Sequence, residues 1–339
     1  MSIPDRKNMK TQLSRWENGH HTPSTDYQEL WCVVYRQSRL ELGFQTATAD
    51  PDTTTEFVAK LAAGRSVGPE TARVFLDQLD TIRAADRTLG APATHKRLLN
   101  LIRSMQALLR HAVLPRGRAP LAAALADATA LAGWQALDLG DVERAWELHE
   151  SSKAAAREAG NNSSIAHAMA EQACVLIDLG CGSDAVDLVR ATRDLVKGQV
   201  PRVLESWLLA SEAEACAAAG DGYGARAAMD NAYDILPPDP NDELPYIFLQ
   251  PVHMRRWRGN VLARIGDVAA TEDLLRALAG MDPTFIRATA GLECDIAIAM
   301  VALGEPQEAM PHVARARRLA KQTGSVRQRR RAEQVVQSL

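Results

Sequence analysis

Residues 213–225 read AEACAAAGDGYGA, and their spacing decides the fold. Ala213 stands seven before Gly220 and Ala225 stands five after it. A Gly-Asp step at the end of an alanine-rich run stops one helix and opens another. The same arrangement recurs around Gly140, Gly180, Gly266 and Gly304. Seven before these stand Gly133, Ala173, Gly259 and Ala297; five after stand Ala145, Ala185, Thr271 and Ala309. Two helices cross closely only where side chains shrink, so matched small residues predict helix pairs stacked in register. A stack of that kind is a binding surface before it is a catalyst.

The anchors lie 40, 40, 46 and 38 residues apart. The long interval holds LPPDPNDELP (236–245), whose prolines cannot continue a helix and place it in a loop. Upstream, residues 68–88 and 94–112 are amphipathic at helical spacing, the second through Leu98, Leu99, Ile102, Met105, Leu108 and Leu109. Residues 325–339 are expected to form a helix capping the open end of the stack.

Composition agrees with an all-α chain. Aromatic residues make up 5% of the 339 and hydrophobic residues 46%, with long alanine-rich stretches that favour close-packed helices over sheets. A net charge of −3 offers no general attraction to phosphate. The 32 Arg against 7 Lys fit a high-GC bacterial coding bias. Five cysteines without a CxxC spacing read as buried thiols in a reducing cytoplasm. No apolar run reaches the ~20 residues of a membrane span, and MSIPDRKNMK lacks a signal peptide's apolar core. A cytoplasmic protein is expected.

Residues 1–44 form a first unit. Leu13 and Trp16 share a helical face, Asn18-Gly19 ends that helix, and Thr25-Asp26-Tyr27-Gln28 fits a capping box. The next helix is expected to bury Leu30, Val33 and Val34, with Trp31 beside them. Residues 45–66, rich in Thr, Ala and Asp at the outset, read as a linker. Residues 67–339 are the repeat domain.

The repeats resemble tetratricopeptide repeats. That family places small residues at two fixed points of a helix pair and turns on a Gly-Asp-type step, as at Gly140-Asp141, Gly220-Asp221 and Gly266-Asp267 and more loosely at Gly180-Cys181 and Gly304-Glu305. The resemblance covers about residues 119–325 and implies an α-solenoid with a concave groove. The N-terminal unit resembles the back half of a Cro/repressor-type (xenobiotic-response-element family) helix-turn-helix through Gln12-Leu13-Ser14-Arg15-Trp16-Glu17-Asn18-Gly19, Pro23 and Glu41-Leu42-Gly43-Phe44. It implies double-stranded DNA as a partner. Lys10, Thr11, Gln12 and Arg15 then face base edges, and Asn18 and His20 approach phosphate. The family has two helices before this one, whereas about eight residues precede it here, so the unit is expected to be incomplete.

Trp134, His167, Trp207, His253, Arg256 and Asn260 fall on the first helix of their repeats, which lines the groove in that family. They are candidates for a peptide or small-molecule effector, against the alternative that Trp and His at helical spacing are core. Asn161 and Asn162, at a turn, join them as polar candidates. His20-His21 lacks a third ligand at suitable spacing, so no metal or cofactor is expected. Arg315, Arg317, Arg318, Lys321, Arg327, Arg329, Arg330 and Arg331 form a basic run, read either as a phosphate-contacting patch or as the solvated face of the capping helix.

Catalytic motifs are missing, and Glu212 and Glu214 point to different sides of one helix, so no enzyme is expected. Two functions fit. One is a DNA-binding regulator whose repeats sense an effector and set dimer geometry, a layout resembling the pheromone-responsive regulators of Gram-positive bacteria. The other is an interaction adaptor whose DNA-reading unit is vestigial.

Overall fold

The computed structural model describes residues 6–39, 41–44, 51–240, 244 and 246–338. Among these, every regular element is a helix. They are α1 (Arg6–Glu17), α2 (Thr25–Tyr35), α3 (Pro51–Arg65), α4 (Pro69–Leu89), α5 (Ala91–His111), α6 (Pro115–Asp138), α7 (Val142–Ala159) and α8 (Asn162–Asp178). There follow α9 (Gly182–Val196), α10 (Arg202–Ala218), α11 (Gly222–Ile235), α12 (Pro251–Arg264), α13 (Ala270–Gly280), α14 (Ile286–Ala302), α15 (Pro306–Thr323) and α16 (Val326–Gln337). The chain divides into two units, with the boundary between Lys60 and Leu61 inside α3.

The first unit rests on aromatic contacts. Trp16 lies 4.9 Å from Tyr27 and 6.1 Å from Trp31 between ring centroids, and Trp31 lies 5.5 Å from Phe44. Gly19, at φ +71°, ends α1 as read from sequence. The capping box does not form: Ser24 is the N-cap of α2, and Gln28 Nε2 donates to the Pro23 carbonyl at 2.8 Å. The expected apolar face of α2 is also corrected. Val33 is 75% exposed, Val34 66% and Leu30 54%, while Tyr27 and Trp31 make the aromatic contacts of the helix. The stretch read as a linker is helical from Pro51. Proline tolerates the first helical position, where its missing N–H removes no bond, so it marks a start here and not a loop.

The second unit is an α-solenoid of helix pairs. The five anchors turn between α6 and α7, α8 and α9, α10 and α11, α12 and α13, and α14 and α15. All five have φ between +72° and +82°, the left-handed region that favours glycine at a helix stop. Ala145, Ala185, Ala225 and Ala309 are completely buried at the crossings. Two glycines are required by close approach. A Cβ on Gly133 would meet the His149 ring at 2.7 Å, and one on Gly259 would meet Leu274 Cγ at 2.5 Å. Thr271, the one larger residue of the pattern, leaves its Oγ1 buried and unbonded among the described residues.

The array does not stay open. α14 and α15 pack on α4, and α16 returns to α6. Ser325 Oγ donates to Asp138 Oδ1 at 2.6 Å, Arg327 pairs with Asp178 at 2.5 Å, and Thr88 Oγ1 donates to the Thr284 carbonyl at 3.4 Å. The close approach of Gly90 to Thr323 and of Gly324 to Pro92 lets the two ends meet. The expected cap on an open end is therefore a closure helix, and the hydrogen bonds of the closure span up to 196 residues of sequence.

Ala185→Leu or Ala225→Leu should overpack its crossing and cost about 1–3 kcal/mol. Urea denaturation of each variant checks this; midpoints and slopes equal to those of the parent chain would contradict the register.

Candidate functional site

Closing the array leaves a central cavity of about 270 Å³, partly open to solvent and walled by the first helices of the repeats together with α4 and α16. Each helix contributes residues three, four or seven apart, the spacing that keeps one face inward. α4 supplies Arg83, Asp86 and Arg87; α6 supplies Asp127 and Trp134; α8 supplies His167, Glu171 and Cys174. α10 supplies Trp207 and Glu214, α12 His253, Arg256, Trp257 and Asn260, α14 Arg287, Gly291 and Asp295, and α16 Arg327, Gln328 and Arg331. The loop before α12 adds Tyr246 and Phe248, and the N-cap of α14 adds Phe285.

Buried charges are costly unless paired, and most of these are. Arg83 lies 3.5 Å from Asp127, Arg331 pairs with Asp295, and Arg264 behind the wall lies 3.5 Å from Glu214. Arg287 Nη1 lies 2.7 Å from Asp86 Oδ2, an ion pair without hydrogen-bond alignment. Gln135 Nε2 donates to the other Asp86 oxygen at 2.9 Å, and Asn260 Nδ2 donates to Asp295 at 2.8 Å. Trp134 sits between two guanidinium groups, Arg287 at 5.6 Å and Arg327 at 5.3 Å from its ring.

Three charged side chains are left over among the described residues. Glu171 Oε2 is buried with no hydrogen-bond partner, and burial pushes its carboxyl up to about 7 against the opposing pull of Arg327 and Arg287. Its nearest titratable contact, His167 Nε2 at 3.6 Å, is no compensating cation. Burial, helped by His149 and Arg83, holds His167 down to about 3, and its neutral ring lies against Tyr246 and Trp207 at 4.5 and 5.3 Å. Arg87 has no ion pair and stacks on Phe248 at 4.9 Å and Phe285 at 5.3 Å. Arg256 has neither ion pair nor hydrogen bond, and burial lowers its affinity for the proton despite nearby Asp295 and Glu214.

All six residues read as groove candidates line this cavity: Trp134, His167, Trp207, His253, Arg256 and Asn260. Asn161 and Asn162 do not. Asn161 caps α8 by accepting from the Ser164 N–H, and Asn162 bonds Gln199. Lys10, Thr11, Gln12, Arg15, Asn18 and His20 are exposed in the first unit, where Asn18 donates to the Ser14 carbonyl. The basic run divides: Arg327 and Arg331 face the cavity, Arg315 pairs with Glu293, and Arg317, Arg318, Lys321, Arg329 and Arg330 are exposed. Glu212 and Glu214 diverge, the first pairing outward with Arg190 and Arg193. Sequence reading missed Glu171, Glu214 and Trp257, although each stands three, four or seven residues from a lining residue that it did find. Tyr246 and Phe248 carried no such signal, since loop residues follow no helical period.

No group of His, Cys, Asp and Glu among the described residues is arranged to hold a metal, and no helix among them is long and apolar enough to cross a membrane. No family model matches the chain, and no curated protein does. Among solved structures it is similar to a Podosopora anserina protein described as kinesin-light-chain-like with nearly identical TPR-like repeats. The TM-score is 0.37 at 19% identity, over 58% of this chain and 96% of that one. A single-substitution variant of that protein gives 0.37 at 18%, over 58% and 94%.

A carboxyl whose folded value is raised keeps its proton longer in the folded chain than in the unfolded one. Its contribution is most favourable below about 4.5 and is lost as pH rises through about 7. Glu171→Gln, which cannot ionise, should therefore gain about 1–3 kcal/mol on the parent chain between pH 5 and pH 8. Denaturation at the two pH values measures the difference; an equal offset at both would show that Glu171 is not held neutral by burial.

Proposed function

We propose that the protein is an interaction module whose closed repeat array takes a short segment of a partner polypeptide into the central cavity. The supporting observation is a wall that mixes aromatic faces with polar groups left unsatisfied. A packing core pairs its buried polar atoms, as Asp86 is paired here by Arg287, Gln135 and Thr94. Glu171 Oε2 is buried without a partner, and the half-exposed Arg87 and Arg256 have no ion pair, beside Trp207, Trp257, Tyr246 and Phe248. A peptide offers both chemistries, apolar side chains for the rings and backbone N–H and C=O for the polar groups. The cavity's volume suits a chain end of a few residues better than a continuous helix.

The reading as a DNA-binding regulator is less well supported. A helix that reads base edges must be held rigidly, and α2 of the first unit contributes no buried residue. Its aromatic cluster is exposed or half-buried, and three of the aliphatic side chains on α2 face water. With respect to DNA, the first unit is vestigial.

Two experiments on the full chain test this. A pooled library of random pentapeptides with free ends is passed with the protein through size exclusion, and retained peptides are identified by mass. Particular sequences should be enriched, and Trp207→Ala with Trp257→Ala should weaken their retention about tenfold, or 1.4 kcal/mol. Retention of the library in its input proportions would remove the proposal. In the second, retention on duplex DNA is followed against salt. The parent chain and a Gln12→Ala, Arg15→Ala variant should behave alike, whereas salt-dependent binding lost in the variant would restore the regulator.

A further inference from the structure

Two polar groups stand one turn apart on α8 and face each other in the cavity wall without bonding. Glu171 Oε1 lies 3.6 Å from His167 Nε2, beyond hydrogen-bond reach. Glu171 Oε2 is fully buried, yet the side chain lines the cavity and keeps 13% of its surface exposed, so Oε1 is the oxygen a ligand can reach. The other four lining carboxylates, Asp86, Asp127, Glu214 and Asp295, each have an arginine within 3.5 Å. The arginines that act on Glu171 are Arg327 of α16 and Arg287 of α14, and both are engaged, by Asp178 at 2.5 Å and by Asp86 at 2.7 Å. Arg87 and Arg256, which have no ion pair, are not among the charges that act on it, and Glu214 of α10 adds repulsion. Among the described residues, Glu171 is thus the lining carboxyl left without a counter-ion.

We propose that Glu171 Oε1 and His167 Nε2 form a subsite for a primary ammonium group, the N-terminal ammonium of the peptide segment that enters the cavity. This rests on the peptide reading above and adds to it the direction of entry. Both atoms can accept: an ionised carboxylate accepts at each oxygen, and an imidazole kept neutral by burial accepts at one nitrogen. An ammonium carries three N–H donors that point apart, so a single nitrogen can serve two acceptors on different residues. A guanidinium fits less well, because its parallel donors match the two oxygens of one carboxylate and Oε2 is out of reach. His167 also brings aromatic surface up to the carboxyl. Its ring lies 4.5 Å from Tyr246 and 5.3 Å from Trp207, and Trp207 lies 6.3 Å from Trp257. Such faces attract a cation and cover the apolar atoms that follow it. Without an opposing cation, burial raises the Glu171 carboxyl to about 7, so an arriving ammonium displaces a proton there and favours the ionised form.

The test contrasts two chemical forms of one probe on the full-length protein, at about pH 7, where an α-amino group keeps most of its proton. The pentapeptide library is used with free and with acetylated N-termini. The parent chain should retain free-amine peptides about tenfold more strongly than acetylated ones. Glu171→Gln should reduce that preference to about twofold, since a neutral amide accepts a weaker hydrogen bond than a carboxylate. Because the first contrast needs no variant, it holds even where the substitution perturbs folding. Free and acetylated peptides retained equally, at enriched sequences, would overturn the ammonium subsite and leave the peptide reading standing. Acetylated peptides retained as strongly wherever they carry lysine would overturn the chain end as the source of the ammonium. If neither library is enriched, phenethylamine and its N-acetyl derivative are titrated against cavity tryptophan fluorescence. A response to the amine alone supports the subsite while the peptide reading falls, and equal or absent responses overturn both. The trimethylated form of phenethylamine is the final probe: a quaternary cation that binds as well as the primary amine would overturn N–H donation to Glu171 and His167.

Discussion

Close approach between helices is the constraint from which the rest of this molecule follows. The helices of a pair can lie together only where the facing side chain is a methyl group or less. Gly133 against His149 and Gly259 against Leu274 show the limit, since even a Cβ would collide there. Ala145, Ala185, Ala225 and Ala309 apply the same rule at the other crossings. Repeated five times, tight pairs give a strongly curved array, and the curvature is enough for α16 to reach α6 and for α14 and α15 to reach α4. An array that closes on itself has an interior, and that interior is the candidate site.

Closure has an electrostatic consequence. Arg327 belongs to the last helix, yet its partner, Asp178, lies on α8, whereas Arg331 pairs with Asp295 on the neighbouring α14. Bringing the ends together therefore desolvates Arg327 and Asp178, and their ion pair offsets a penalty that closure itself creates. Such pairs are poor evidence for stability, because an apolar seam would close as well. They are better evidence for specificity of register. A closure helix displaced by one turn would leave a buried guanidinium opposite nothing, at a cost of several kcal/mol. Against this paired background, Glu171 Oε2 is buried without a partner, and the half-exposed Arg87 and Arg256 have no ion pair.

The parts legible in the sequence were those governed by local rules. The left-handed glycines recur because a helix stop is decided within a few residues, and the small crossing residues recur at fixed offsets from them. Six cavity residues followed from their place on the first helix of each repeat. What escaped was non-local. Nothing in residues 325–339 says that they pack on a helix two hundred residues earlier, so Arg327 and Arg331 read as surface charge. On α2 a different failure occurred: Leu30, Val33 and Val34 satisfy a helical apolar pattern, but Trp16 offered larger ring surface to Tyr27 and Trp31. Pro51 misled because proline punctuates loops and helix starts alike. Tyr246 and Phe248 reach the cavity from a Pro-rich insertion that disrupts the repeat period, and the disruption is what places aromatic rings there.

The closure also bears on how binding would be transmitted. A ligand shifts a conformational equilibrium only through contacts that differ between its states. Here the cavity wall and the closing seam share side chains. Arg327 closes the array through Asp178, faces Trp134, and is among the charges that act on Glu171. Arg287 likewise joins α14 to α4 through Asp86 while facing the other side of Trp134. An occupant that touches Trp134 or Glu171 therefore acts on groups whose partners lie across the seam. Opening the array would separate Arg327 from Asp178 and Arg287 from Asp86, and an occupant of the cavity would lose its wall in the same step. Occupation by the proposed ligand and closure would thus draw on the same contacts, which would couple its affinity to the return of α16 without any separate signalling element.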